Sequence, residues 1–143
     1  MTGPQEVAES AAKAMWAGDR ASQALGMEIV EVGPGRAVVR MTVREDMVNG
    51  HAIGHGGLTF TLADSAFAFA CNSYDRRTVA AGAEIRFRAP THLGDVLTAT
   101  ATERSREGRS GVYDVEVTVA GSSEATVVAT FVGHSREVGG SFA

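Results

Sequence analysis

An almost wholly apolar segment, LTFTLADSAFAFACN, runs from Leu58 to Asn72 and contains one charged residue, Asp64. Aromatic and small residues surround the whole circumference of this segment when it is drawn as a helix, which predicts a long helix enclosed in the core of the fold. The residues one helical turn from Asp64 include no cation that could pair with it. Because a buried carboxylate without a partner is costly, we expect a group outside this helix to use Asp64.

Two glycines, Gly56 and Gly57, stand at the predicted start of this helix, directly after His55. Glycines leave backbone N–H groups uncovered at the positive end of a helix, where a developing oxyanion is stabilised. A tight loop that requires positive φ is an alternative reason for them, and both roles are compatible. The sequence therefore predicts an electrophilic helix end and an acid/base group, Asp64, on one element.

Gly56 and Asp64 are eight residues apart, which is roughly 12 Å along a helix axis. The two residues also point in different directions, so they do not easily serve one site within one chain. If two copies of the helix lay antiparallel, Gly56 of one chain would face Asp64 of the other, and a two-fold axis would relate two equivalent sites. The sequence thus predicts a homodimeric enzyme.

The composition limits the other possibilities. A chain of 143 residues suits one domain with a sizeable core, so residues 1–143 are predicted to form a single domain. The N-terminus lacks a basic start followed by an apolar run, which predicts neither a secretion signal nor a membrane span. The single Cys71 agrees with a reducing compartment, and we expect a cytoplasmic protein. A net charge of -4 argues against nucleic-acid partners.

The periodicity of the remaining segments predicts an α+β fold. Pro4–Gly18 is expected to form an N-terminal helix, and residues 137–143 a loose, glycine-rich tail. The segments with strand-like alternation are 27–32, 36–44, 78–90, 96–106, 110–119 and 125–134. The short links after the fourth and fifth strands, the second being Gly121-Ser122-Ser123, favour an antiparallel meander. The simplest packing is one curved antiparallel sheet wrapped around the long apolar helix, the arrangement of a hot-dog fold.

Four motifs resemble a known family. They are GHGG at Gly54–Gly57, LADSAFAFACNS at Leu62–Ser73, FRAPTHLGDVLTATA at Phe87–Ala101 and GVYDVEV at Gly111–Val117. In combination they resemble the PaaI-type (phenylacetic acid degradation) acyl-CoA thioesterases of the hot-dog superfamily. The resemblance covers roughly Met27 to Gly140.

The resemblance implies roles for particular residues. Gly56 matches the residue whose backbone N–H polarises the thioester carbonyl, and Gly57 follows it at the helix start. Asp64 matches the carboxylate that activates water or attacks the thioester carbon directly. Asn49 and His55 match polar positions that line the same loop. Some relatives have a serine or threonine on the strand after the helix that helps to hold the water, whereas this chain has Ala80-Ala81-Gly82.

The resemblance also implies the substrate and the assembly. The family hydrolyses acyl-CoA, typically with aromatic or ring-derived acyl groups, and assembles as dimers or homotetramers. It implies no metal or redox cofactor. Three arginines, Arg104, Arg106 and Arg109, are candidate contacts for the phosphates of CoA, and the pair Arg86 and Arg88 is a weaker candidate. Solvated strand faces are the alternative explanation for both groups.

Several residues also allow other interpretations. Asp64 could face solvent and serve only solubility; if it is buried, desolvation should raise its pKa into a range useful for proton transfer. His51 and His55 have the four-residue spacing of metal ligands on a helix, but the glycines around them disfavour a helix there. Cys71 lies in an apolar helix without a nearby histidine or cation, which indicates core packing rather than a nucleophile.

Two other functions fit the same sequence. A hydratase or dehydratase of acyl thioesters would use Asp64 together with His55. A non-catalytic acyl-CoA sensor would bind the ligand without turnover, although the first 26 residues are too short and not basic enough for a DNA-binding helix-turn-helix.

Overall fold

The computed structural model describes residues 3–121 and 124–142. Three α-helices, one short 3-10 helix and six strands make up this part of the chain. Their bounds in chain order are α1 Pro4–Gly18, α2 Arg20–Ala24, β1 Glu28–Gly33, β2 Arg36–Thr42, the 3-10 helix Glu45–Met47, α3 Gly56–Cys71, β3 Thr78–Phe87, β4 Val96–Glu107, β5 Ser110–Val119 and β6 Thr126–Glu137. The elements predicted from periodicity are therefore present, and α2 and the 3-10 helix are additional.

The six strands form one antiparallel sheet in the order β1-β2-β4-β5-β6-β3. The predicted meander is confirmed for β4, β5 and β6, which pair in sequence order. Strand β3 precedes β4 in the chain but lies at the far edge of the sheet, where it pairs with β6. Periodicity predicts that a strand exists but not its neighbours, so this crossover is not predictable from the alternation of residues.

Helix α3 packs across one face of the sheet and supplies the centre of the core. Its residues Leu62, Ala63, Ala66 and Ala70 are fully buried. Phe67 lies 5.9 Å from Phe131 and 5.7 Å from Tyr113 between ring centroids. The sheet makes room for this ring at Gly133, because a Cβ there would lie 2.7 Å from it. Burial of these apolar side chains is the main stabilising contribution to the fold.

One stripe of α3 is left uncovered within a single chain. Along it Gly57 is exposed, and Phe60, Thr61, Asp64 and Ala68 are only partly buried. The sheet covers one side of the helix, and the N-terminal helices cover part of the rest. The expectation that the helix is enclosed on all sides is therefore met only in part by one chain.

Strand β3 adds a second uncovered surface. It is a ten-residue edge strand on which Val79 is 49% and Phe87 57% exposed. The residues between them include Ala80, Ala81 and Ala83, which are also exposed. Glu84 and Arg86 are exposed on the same strand. The backbone groups along a long edge strand are unpaired and can pair with a strand of another chain.

Helix α2 is short and is not predicted by the sequence, since five residues give no clear periodicity. The Asp19 carboxylate caps it by accepting hydrogen bonds from the Ser22 N–H, at 3.0 Å, and from the Ser22 hydroxyl, at 2.7 Å. The hydroxyls of Ser22 and Ser65 are 2.8 Å apart, which fixes α2 against α3.

The C-terminal segment differs from its prediction. Strand β6 continues to Glu137, three residues beyond the predicted end. The following residues return to the loop after α3, where Val138 N–H donates to Arg77 O and Arg77 N–H donates to Gly140 O. The Phe142 N–H donates to the Asp75 carboxylate at 2.9 Å. These contacts hold the described part of the predicted loose tail, and Ser122, Ser123 and Ala143 lie outside the described residues. In the part of the chain that the structure describes, no helix is long and apolar enough to cross a membrane.

Candidate active site

The loop before α3 is organised by Asn49. Its side-chain Oδ1 accepts hydrogen bonds from the N–H groups of His51, at 2.8 Å, and Ile53, at 3.4 Å. Its backbone N–H donates to the Ile53 carbonyl, and Ala52 takes a left-handed conformation with φ 62°. These bonds occupy Oδ1, so the Nδ2 amide, which has no acceptor among the described residues, is the group that can serve a ligand.

The start of α3 is capped by His55. Its Nδ1 accepts a hydrogen bond from the Gly57 N–H at 2.9 Å, and its own N–H donates to the Met47 carbonyl at 2.7 Å. The expectation that both glycines present open N–H groups is therefore wrong for Gly57. Within residues 3–121 and 124–142, no atom accepts a hydrogen bond from the Gly56 N–H. Gly56 is the first helical residue, where backbone N–H groups have no intrahelical acceptor.

The cap also determines which nitrogen of His55 faces outward. Because Nδ1 accepts a hydrogen bond, a neutral imidazole carries its proton on Nε2. The side chain is exposed, so Nε2–H is available as a donor to a ligand.

A cavity of about 360 Å³ is lined in part by Gly56. Asn49 and Gly56 both line this cavity. A Cβ on Gly56 would lie 3.0 Å from Cζ of Phe87, so the glycine allows this ring to lie against the helix start. The other residues of the wall are Ile53, Gly54, Thr59, Arg88, Ala89, Pro90, Thr91 and Val128.

The segment Phe87–Thr91 is the part of the site that sequence reasoning misses. The sequence identifies it only as part of a motif, with no role for its residues except a weak one for Arg88. The sequence does contain a signal for this segment, because Pro90 ends the strand-like run three residues after the aromatic Phe87.

Asp64 lies two turns along α3 from Gly56 and does not line this cavity. It is partly buried, and its carboxylate has no hydrogen-bond or ion-pair partner among the described residues. Burial raises the pKa of Asp64. A carboxylate that is desolvated but not paired is a stronger proton acceptor than one in water, which suits a general base or nucleophile.

His55 and Gly57 line a separate, shallow depression of about 340 Å³ on the other side of the helix start. Within one chain, the predicted residues thus divide into three places. Asn49 and Gly56 share the cavity, His55 and Gly57 lie beside it, and Asp64 lies further along the uncovered stripe of α3.

The three predicted CoA-binding arginines lie elsewhere. Arg104 donates from Nε to the Asp114 carboxylate at 3.0 Å, and this hydrogen bond lowers the pKa of Asp114. The guanidinium of Arg106 stacks 3.7 Å from the ring centroid of Tyr74. Arg109 lies in the turn between β4 and β5. All three are at the hairpin near the C-terminal end of α3, whereas the cavity lies at its N-terminal end.

Arg88 is the arginine at the cavity itself. Its side chain is exposed, and its Nε donates to the Thr130 hydroxyl at 3.3 Å. It therefore presents a positive charge at the cavity that Gly56 also lines.

Cys71, His92 and His134 lie outside the cavity in structural surroundings. Cys71 is buried, and burial raises the pKa of its thiol to about 12. His92 N–H donates to the Asp95 carboxylate, and His134 lies 3.8 Å from Glu84 on an exposed strand face. Among the described residues, no group of three or more His, Cys, Asp or Glu side chains is placed to hold a metal ion.

Comparison with known proteins identifies the fold and the family. The sequence pattern of the Thioesterase superfamily matches residues 51–126, just over half of the chain. The acyl-coenzyme A thioesterase PaaI of Escherichia coli is 45% identical over 129 residues, which are 90% of each chain.

Solved structures agree with the sequence match. The structure of the E. coli PaaI protein from the phenylacetic acid degradation operon superposes with a TM-score of 0.92 at 42% identity, covering 97% of this chain and 99% of that one. A point mutant of the phenylacetic acid degradation protein PaaI from Thermus thermophilus has a TM-score of 0.79 at 35% identity, covering 84% of this chain and 100% of that one. The chain belongs to the thioesterase superfamily and, within it, to the PaaI-type acyl-CoA thioesterases with the hot-dog fold.

Proposed function

We propose that this protein hydrolyses acyl-CoA thioesters to the free acid and CoA at two sites, each shared between two subunits. In each site the Gly56 N–H of one subunit polarises the thioester carbonyl, and Asp64 of the partner subunit drives the attack. The observation that carries this proposal is the separation of the two groups within one chain. The open Gly56 N–H lies at a cavity, whereas the unpaired carboxylate lies on an uncovered helix face outside it.

The uncovered surfaces support a dimer. The open stripe of α3 and the exposed edge of β3 both carry apolar side chains, and α3 packs against β3. Pairing of β3 with the same strand of a second chain would satisfy its backbone groups and bring the two helices together. With the helices antiparallel, Asp64 would approach the Gly56 end of the partner helix. Association of two dimers into a tetramer remains a prediction from the family resemblance.

The proposed reaction needs one donor and one base. The thioester carbonyl oxygen accepts a hydrogen bond from the Gly56 N–H, which is strengthened by the dipole of α3. In one route Asp64 takes a proton from water while the water oxygen bonds to the carbonyl carbon; the carbon–sulfur bond then breaks, and the CoA thiolate takes up that proton. In the other route an oxygen of Asp64 bonds to the carbonyl carbon, and the CoA thiolate leaves and takes up a proton from solvent. Water then hydrolyses the mixed anhydride on Asp64, which releases the free acid and restores the carboxylate. Nε2–H of His55 and Nδ2 of Asn49 are additional donors at the rim.

The substrate assignment has separate support. Phe87 lines the cavity, and Phe60 lies one turn before Asp64 on the uncovered stripe, so aromatic rings are present at both parts of the proposed site. Rings of this kind favour an aromatic or ring-derived acyl group. A relative at 42% identity comes from a phenylacetic acid degradation operon, which agrees with this preference.

The phosphates of CoA need a cationic site at the cavity. Arg88 provides it within the same chain, so we rank it above the arginines that the sequence favours. Arg104, Arg106 and Arg109 are candidates only from the partner subunit, because an antiparallel arrangement turns the C-terminal end of the partner's α3 toward the cavity. Cytoplasmic location remains our expectation, in agreement with a free, buried Cys71.

A thiol-release assay tests the activity. Short, long, aromatic and hydroxyaromatic acyl-CoAs are compared on the wild-type protein and on Asp64→Asn. We expect the aromatic substrates to give the highest kcat/KM, and the substitution to lower kcat by 10²-fold or more, roughly the effect of losing one catalytic group. A variant with near-normal kcat would remove Asp64 from the mechanism. Consumption of an enoyl thioester without thiol release would indicate a hydratase, and binding without turnover a sensor.

Mixed dimers test the sharing of the site. Asp64→Asn chains are co-expressed with Gly56→Pro chains, each with its own affinity tag, and the heterodimer is purified. If each site takes its two groups from different subunits, one site of the heterodimer is intact and activity returns to about half of the wild-type value. If both groups act within one chain, no site is intact and the heterodimer stays inactive.

A further inference from the structure

Thr91 is a buried polar residue in the cavity wall whose hydroxyl is not used by the fold. The residue is 4% exposed, and its Oγ1 has no hydrogen-bond partner among the described residues. Its backbone carbonyl, in contrast, accepts a hydrogen bond from the Gly54 N–H at 2.8 Å. Buried polar side chains are nearly always hydrogen-bonded, and valine would fill the same space without an unpaired group. The hydroxyl therefore costs stability in the unliganded protein.

The neighbouring loop is adapted to this hydroxyl. A Cβ on Gly54 would collide with Thr91 Oγ1, so the two segments pack closely only because residue 54 is glycine. Gly54 and Thr91 both line the cavity that contains Gly56. Rotation about one bond exchanges the hydroxyl and methyl positions of threonine between staggered rotamers. The hydroxyl is buried against Gly54, and such a rotation, which needs no movement of the backbone, is what would turn it toward a ligand in the cavity.

The surroundings of Thr91 indicate which part of a ligand it would meet. Gly56 and Arg88 both line this cavity, and the apolar side chains of Ile53, Ala89 and Val128 line it with them. If the thioester carbonyl lies on the Gly56 N–H and the phosphates lie near Arg88, the pantetheine arm of CoA connects the two. That arm is a mostly apolar chain that carries two amide groups.

We propose that the Thr91 hydroxyl binds an amide of the pantetheine arm of CoA and is the polar contact that holds this arm in the cavity. The inference rests on the proposed acyl-CoA site. It adds a binding residue outside the helix and outside the groups that contact the thioester. Its role is in binding, so its loss should affect Kd and KM more than kcat.

Two substitutions separate binding from folding. Thr91→Val removes the hydroxyl and keeps the shape, and Thr91→Ser keeps the hydroxyl. Titration calorimetry with free CoA should give a Kd about 3- to 10-fold higher for the valine variant, the effect of one neutral hydrogen bond, and a near-normal Kd for the serine variant. The melting temperature of Thr91→Val should be equal to or above that of the wild type, because an unpaired buried group has been removed. An unchanged Kd in Thr91→Val would overturn the proposal.

Truncated substrates locate the contact. The kcat/KM of Thr91→Val relative to wild type is measured on one acyl group attached to CoA, to pantetheine, to N-acetylcysteamine and to ethanethiol. The deficit should persist while an amide is present and disappear on the S-ethyl thioester, which has none. An equal deficit on all four thioesters would assign Thr91 a structural role and contradict the proposal.

The two tests distinguish this inference from the proposed function. Calorimetry with CoA requires no turnover, so a protein that binds CoA through Thr91 but releases no thiol would refute the hydrolase and leave the binding residue. If the wild type hydrolyses thioesters and Thr91→Val does not differ from it in Kd or kcat/KM, the hydrolase proposal stands and the inference about Thr91 is refuted. A wild-type protein that binds no CoA would refute the inference about Thr91.

Discussion

The Nδ1 atom of His55 accepts the hydrogen bond of the Gly57 N–H at 2.9 Å, so the side chain of the N-cap residue closes the first turn of α3. This contact leaves the Gly56 N–H as the donor at the cavity and directs Nε2–H of His55 away from the helix. One side chain thus stabilises the helix and selects which backbone group stays open. Stability and activity can therefore be separated by substitution at this position.

Substitution of His55 by aspartate should keep the cap and lose the outward donor. Aspartate is a favourable N-cap residue and its carboxylate carries no N–H, so His55→Asp should unfold near the wild-type free energy, whereas His55→Ala should lose about 0.5–2 kcal/mol. Urea unfolding measures both. Activity should be reduced in both variants, because both lack the Nε2–H. Full activity in His55→Asp would show that capping is the only role of this residue.

A matched pair of substitutions at Gly56 isolates its N–H. Gly56→Ala adds a Cβ 3.0 Å from the Phe87 ring but keeps the N–H. Gly56→Pro adds a similar contact and removes the N–H, and proline is well tolerated at the first position of a helix. We expect kcat of the proline variant to be roughly 10²- to 10³-fold below that of the alanine variant. Equal kcat values, with similar circular dichroism spectra, would exclude the Gly56 N–H as the oxyanion donor.

Asp64 should lower stability at neutral pH while it supports activity. Burial raises its pKa above the ordinary value of 3.8, so the folded state binds the proton more tightly than the unfolded state. Proton binding to Asp64 therefore stabilises the folded state. This stabilisation is fully present below pH 3.8 and is lost as the pH rises through the raised pKa of Asp64. Asp64→Asn should therefore melt above the wild type at pH 7, and this difference should shrink toward about pH 3. An equal melting temperature of the two proteins at pH 7 would contradict the buried, unpaired carboxylate.

The same pKa predicts the pH dependence of the rate. A base or nucleophile must be ionised, so kcat/KM of the wild type should fall as the pH decreases through the raised pKa of Asp64. The residual kcat/KM of Asp64→Asn should not show this decrease at acidic pH. An equal decrease in the variant would show that another group causes it.

Arg88→Ala should weaken binding of CoA substrates specifically. A surface arginine that contacts a phosphate contributes roughly 1.5–3 kcal/mol as a charged hydrogen bond, which would raise KM by about ten-fold or more. The effect should increase at low salt and be absent on acyl-pantetheine, which has no nucleotide phosphates. Arg104→Ala is the control, because Arg104 is paired with Asp114. A larger increase of KM in Arg104→Ala than in Arg88→Ala would contradict this ranking. It would favour the prediction from the sequence that Arg104, Arg106 and Arg109 contact the CoA phosphates.

Cys71 should be inert in the folded protein. Burial raises the pKa of its thiol to about 12, so the thiolate is almost absent at neutral pH. Thiol reagents should react slowly with the native protein and rapidly after unfolding in guanidinium chloride, measured by absorbance of the released product. Cys71→Ala should retain kcat. Rapid modification of the native protein at neutral pH would contradict the buried environment.

Local patterns in the chain are sufficient to predict the six strands, α1 and α3. They also identify the residues of α3 that can take part in chemistry. Alternation and apolar runs depend on local periods of 2 and 3.6 residues, so the strands, α3 and the lone charge of Asp64 are visible without any tertiary contact. The eight-residue separation of Gly56 and Asp64 likewise follows from helix geometry alone. The family motifs add the fold, and they imply roles for these residues that the proposed experiments test.

Which groups share a surface depends on folding of the whole chain. Strand β3 lies at the far edge beside β6, because pairing depends on contacts that local periodicity does not encode. Arg88 and Thr91 lie at the cavity and the three arginines of the β4–β5 hairpin at the opposite end of α3, because residues distant in the chain meet only after the sheet has formed. The Gly57 N–H is taken by His55, a hydrogen bond that depends on the side-chain conformation of a single residue.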